Sequence, residues 1–175
     1  MSVRAFLFAA VAVIFASPMG IIAERTSRQH FRVHVPPRAS IKAPPGQAEA
    51  VFLHGETQVR FNQQSWEVAA NSSTGATVRF ATEHSFHNLN NTGIRRDALL
   101  ELSILRHSPI DAWDISRSSA VTRYQIGQEN AAVQVRTFKP GAAVLGLTVT
   151  FLQGDALSTP AGDYEMTVVG TIMAN

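Results

Sequence analysis

The sequence predicts an all-β fold, an antiparallel sandwich of about seven to ten strands. Three observations predict it. Apolar and polar side chains alternate with a period of two in run after run. Short clusters of proline, glycine and asparagine separate the runs. No strand–helix alternation of the kind that builds a parallel sheet is present.

The first element in chain order is not a strand. Arg4 precedes Ala5–Ala16, a run of 12 residues with no polar side chain, broken by Ser17-Pro18. A helix needs roughly 20 residues to span a bilayer. The run is too short for that and fits the apolar stretch of a secretory signal peptide. Cleavage is expected after Ala23, with Ser17–Gly20 as a second location; an uncleaved anchor or a buried helix is the competing reading. Residues 1–23 are therefore assigned to a signal peptide and 24–175 to one sandwich domain.

The strands follow. Phe31, Val33 and Val35 alternate with Arg32 and His34, and Pro36-Pro37 ends the run. Val59 and Phe61, then Trp66 and Val68, then Val78 and Phe80 give three more alternations. Residues 95–106 are ambiguous, because Leu99, Leu100, Leu102, Ile104 and Leu105 could also form a helical stripe. Strand neighbours and the lack of a cap favour a strand with Leu100, Leu102 and Ile104 on one face. Val133 and Val135 mark the next strand, and Leu145, Leu147, Val149 and Phe151 a longer one. Tyr164, Met166, Val168, Gly170 and Ile172 predict one long terminal strand. Turn chemistry at Pro44-Pro45-Gly46, Asn71–Gly75, Asn88–Gly93, Pro140-Gly141 and Pro160-Ala161-Gly162 punctuates the series.

Composition narrows the functional classes. Lys+Arg is 15 and Asp+Glu 13, a net charge of +2 that supplies no field for nucleic acid. Hydrophobic residues at 45% and charged residues at 16% argue for a packed domain. Cysteine is absent, which excludes disulfides, thiol catalysis and cysteine zinc sites. Stability must come from burial and strand pairing.

Candidate chemistry is sparse. His84 and His87 form H-x-x-H, but on a strand they would point to opposite faces, and a metal usually needs three or four converging ligands. No G-x-S-x-G elbow and no glycine-rich loop opening a helix occurs. Glu101, Asp111 and Asp114 have no evident reason to converge. Neither an enzyme nor a cofactor is expected. Arg25, Arg28, Arg32 and Arg38, interleaved with His30 and His34, read as a solvated basic strand face or as a contact for an acidic surface. Trp66, Trp113 and Tyr124 read as core residues or as a sugar-stacking platform. Asn71-Ser72-Ser73 and Asn90-Asn91-Thr92 match the glycosylation sequon.

The two ends of the chain carry a resemblance. The A-G-x-Y-x-x-x-V pattern of Ala161, Gly162, Tyr164 and Val168 leads into an alternating terminal strand. It resembles the ending of bacterial chaperone–usher fimbrial subunits, in their cysteine-free branch. The alternating segment before Pro36 is similar to the donor strand of that family. One departure is Ala174, at the position where many such pilins carry an aromatic. The resemblance implies an incomplete immunoglobulin-like sandwich, completed by a neighbouring subunit's N-terminal strand. It implies an interface of Phe31, Val33, Val35, Tyr164, Met166, Val168 and Ile172. The partners would be other copies or related surface subunits and a periplasmic chaperone. The mature protein would have no integral membrane span and would sit at the cell surface or outside it, with the periplasm as transit. The expected function is a structural or adhesive subunit of a surface fibre. The alternative is a stand-alone secreted or periplasmic β-sandwich binding module for a ligand such as carbohydrate.

Overall fold

The computed structural model describes residues 28–53, 56–154 and 159–175. The signal-peptide assignment, 1–23, lies outside them. Residues 35–175 form one compact unit.

The strands are β1 (Ala39–Lys42), β2 (Gln58–Arg60), β3 (Gln64–Ala70), β4 (Ala76–Thr82), β5 (Phe86–Asn88) and β6 (Arg95–Ser108). They continue with β7 (Trp113–Arg117), β8 (Ser119–Val121), β9 (Ala132–Thr137), β10 (Gly141–Leu152), β11 (Tyr164–Glu165) and β12 (Val168–Ala174). A single 3₁₀ turn, Tyr124–Ile126, is the one helical element among the described residues. The all-β expectation holds. The ambiguous segment 95–106 lies within β6, whose inward residues Ala98, Leu100 and Leu102 are buried.

The strands form two antiparallel sheets. The first has the order β1-β3-β10-β6-β5-β11, with β2 also on β10 and β8 also on β6. The second has the order β12-β4-β9-β7. Period-two alternation puts one face of each strand inside. Val78 and Phe80 of β4, Val133 and Val135 of β9, and Leu100 and Leu145 of the first sheet are all 0% exposed. Burying each such side chain contributes roughly 1.5–3 kcal/mol. A smaller apolar cluster of Phe86, Ala98 and Phe151 sits beside Val59, Phe61, Tyr164 and Met166.

Two buried threonines are paired inside the sandwich. Thr122 is fully buried; its Oγ1 donates to Asp97 Oδ1 at 2.9 Å and accepts from the Ala98 amide at 2.8 Å. Thr82 Oγ1 donates to the Glu129 carbonyl and accepts from the Ala131 amide. These bonds pin loops that would otherwise leave buried main-chain donors unmet.

Two expectations are corrected. Residues 28–38 form no strand, so the run Phe31–Val35 has alternation without a ladder, and the first strand is Ala39–Lys42. The terminal strand is not continuous: it breaks at Met166-Thr167, with β11 in the first sheet and β12 in the second. His84 and His87 do not share a strand: residues 83–85 bend, and the two rings meet edge to face with centroids 4.6 Å apart.

Candidate functional site

The ends of the chain build the candidate site. From Tyr164 to Ala174 the backbone runs antiparallel to the segment Ala76–Asn88. Val168 pairs with Thr82 and Ala174 with Ala76. The Glu83 amide then donates to the Thr167 carbonyl at 3.0 Å. Beyond it Glu165 pairs with His87 and Tyr164 with Asn88. Residues 83–86 thus oppose only Met166 and Thr167. The surplus bends the two-stranded ribbon, and the bend carries it from the second sheet to the first.

The pattern around Tyr164 has a structural reason. Its hydroxyl donates to the Pro160 carbonyl at 3.0 Å, a tyrosine corner that fixes the entry to β11. Gly162 lies at φ +144°, and a Cβ there would stand 2.6 Å from Asn88 Nδ2. The ring of Tyr164 packs edge-on against Phe151 at 5.3 Å.

Among the described strands, none is hydrogen-bonded to the other side of this ribbon. β12 ends the second sheet and β11 ends the first. The inward residues of β12 show the consequence: Val168, Gly170 and Ile172 remain partly exposed, while the matching residues of β4 and β9 are fully buried. β1, the other end of the first sheet, approaches β12 from across the sandwich. A Cβ on Gly170 would stand 2.8 Å from Ile41 Cδ1 and 2.9 Å from Trp66 Cζ3, so glycine permits that approach.

Below this contact the sandwich opens into a cleft of about 430 Å³. Tyr164, Met166 and Val168 line it together with Phe61, Trp66 and Phe86, and the loop at Pro44–Ala48 borders it. Glu165 is the only charged residue among those lining it. Trp66 stands edge-on to Phe80 at 5.0 Å, and its indole Nε1 is buried without a hydrogen-bond partner. A second, shallower hollow of about 700 Å³ lies on the outer face of the first sheet. Its floor is Ala69 and Ala142, and its Lys42 and Glu67 pair with each other at 3.7 Å.

The structure therefore brings three of the seven expected interface residues together: Tyr164, Met166 and Val168. Ile172 lies further along β12, packed against the main core. Phe31, Val33 and Val35 belong to the segment without a ladder and are 85%, 85% and 71% exposed. The cleft residues Phe61 and Phe86, and Glu165 at its wall, were not singled out by sequence reasoning. Their only signal is membership of alternating runs, which gives a face but no neighbour.

The other candidates separate. Trp113 is buried in the core at 5% exposure and Trp66 packs against that core, so with Tyr124 they form no exposed platform. Glu101 pairs with Arg60 at 3.1 Å on the first sheet, and Asp114 with Arg136 at 3.7 Å on the second. The Asn71 side chain accepts from the Arg38 amide and donates to the Pro36 carbonyl, so its amide is engaged in holding the chain that enters β1. No group of three or more histidine, aspartate or glutamate residues suited to a metal occurs among the described residues. No helix among them is long and apolar enough to cross a membrane. Comparison with models of protein families, with curated proteins and with solved structures finds no match.

Proposed function

We propose that this protein is an exported structural or adhesive subunit of a bacterial surface fibre, and that copies associate by sharing a β-strand. The observation that carries the reading is a complementarity. A segment with alternating apolar side chains, Phe31, Val33 and Val35, stands exposed and outside any ladder. An open strand edge, β11–β12, stands over an apolar cleft. Unmet main-chain groups on such an edge favour strand addition, and alternate side chains of the incoming strand fill pockets. The mechanism is association, with no bond made or broken. On this reading the segment of one copy is the added strand of the next.

Deletion of residues 24–35 tests it. The intact protein is expected to form oligomers whose size rises with concentration in sedimentation velocity. The deleted protein is expected to remain a folded monomer with an unchanged circular dichroism spectrum. An intact protein that is monomeric at high concentration, or oligomers that survive the deletion, would refute strand sharing.

A further inference from the structure

The apolar pattern alone leaves the register of such an added strand undetermined. A slip of one residue turns Phe31, Val33 and Val35 away from the cleft and is strongly excluded. A slip of two residues in one direction keeps the apolar face inward and exchanges one apolar side chain for another; in the other direction it brings Gln29 inward. Discrimination against the first must come from the outward row of side chains.

That row is unequal in charge. On the acceptor edge the outward residues are Glu165, Thr167, Val169, Thr171 and Met173, all exposed, and only Glu165 is charged. On the donor segment the outward positions are Arg28, His30, Arg32 and His34, with no acid between residues 28 and 35. Two arginines could meet Glu165. Placing Arg28 there would put Gln29 into the apolar cleft. Placing Arg32 there puts Phe31 and Val33 beside Tyr164 and Met166, whichever way the added strand runs.

We infer that Arg32 of one copy pairs with Glu165 of the next, and that this ion pair sets the register of the shared strand. The inference rests on the strand-sharing reading and adds to it the two residues that specify alignment. An opposite-charge cross-strand pair attracts and a like-charge pair repels. Reversal of one partner converts the first into the second, and specificity arises from that difference.

Charge reversal in both partners tests it. Arg32→Glu and Glu165→Arg, each alone, are expected to weaken self-association about tenfold in sedimentation equilibrium. The double variant is expected to return to within about threefold of the parent. An equimolar mixture of the two single variants is expected to associate as well, because the acid introduced in one copy then meets the base introduced in the other. Circular dichroism and urea midpoints matching the parent exclude misfolding as the cause. Single variants that associate like the parent would overturn the inference, as would a double variant no better than the singles. Rescue in the double variant but not in the mixture would place the pair within one chain and also overturn it. Phe31→Ser with Val33→Ser separates the two levels. If that variant still associates, strand sharing itself fails; if it does not while the charge variants are indifferent, only the register pair fails.

Discussion

At the scale of single residues, glycines reveal where the sandwich tolerates no side chain. A Cβ on Gly75 would stand 1.8 Å from the Thr137 carbonyl oxygen, and Gly75 lies at φ +86°. Both features oppose any side chain there. At Gly170 the obstacles are Ile41, Trp66 and Phe80, between 2.8 and 3.0 Å. Gly170→Ala is expected to cost about 1–3 kcal/mol through overpacking, read as a lower urea midpoint with an unchanged slope. Gly146 supplies the contrast: the atoms nearest a Cβ there are side-chain ends, Gln63 Cδ and Nε2 at 2.6 Å and Ser103 Oγ at 2.8 Å. Gly146→Ala should change the midpoint little. Thr122→Val tests a buried hydrogen bond in the same assay. It keeps the shape but removes the acceptor of the Ala98 amide and the donor to Asp97. A loss of about 1–3 kcal/mol is expected, because a buried main-chain donor loses its partner.

At the scale of elements, the ribbon of β11–β12 with β4–β5 makes its own prediction. Only one side of β12 is paired, to β4. In an antiparallel ladder alternate amides of an edge strand point at the partner and the others point away. Hydrogen exchange along Val168–Ala174 should therefore alternate between slow and fast in the monomer. On association the fast set should become slow while β4 and β9 hardly change. A uniformly slow β12 in the monomer would mean its edge is already covered. The same ribbon explains how far the sequence could be read. Strong alternations with turn signals at both ends, as in β3, β4, β9 and β10, were legible because one buried face suffices to specify a strand. Four short strands, β1, β5, β7 and β8, were not, because three to five residues hold too few alternations to register; β2 was legible because Phe61 extends its alternation. Phe31–Val35 alternates as clearly as any core strand, yet has no ladder. Periodicity shows that a segment can bury one face; it does not say against what. The break at Met166-Thr167 was hidden for a related reason. The inward alternation of Tyr164, Met166 and Val168 runs unbroken across the point where the strand changes sheets. The cleft was illegible altogether, since it exists only where two edges from distant parts of the chain fail to meet.

At the scale of the whole molecule, accessibility divides the chain unevenly. Arg28 and Arg32 lie exposed in a segment without main-chain pairing. Most other basic residues described sit in strands: Lys42, Arg60, Arg79, Arg95, Arg96, Arg106, Arg117 and Arg136. A protease must draw a stretch of extended chain into its site, so cleavage within a ladder requires local unfolding, while cleavage in an unpaired segment does not. Brief trypsin treatment of the monomer should therefore cut first at Arg28 and Arg32 and leave a resistant fragment running through the sandwich. Its urea midpoint should equal that of the intact protein, because residues 35–175 carry the two apolar clusters and the ladders found among the described residues. The assembled form should resist cleavage at Arg32, since a strand held in a neighbour's sheet no longer offers an extended, free backbone. Mass spectrometry of the fragments at low and high protein concentration reads the difference. Equal cleavage at Arg32 in both states would show that association, if it occurs, leaves that segment outside the interface. Early cuts inside β3, β4 or β10 would show instead that the sandwich itself opens more readily than its buried core implies.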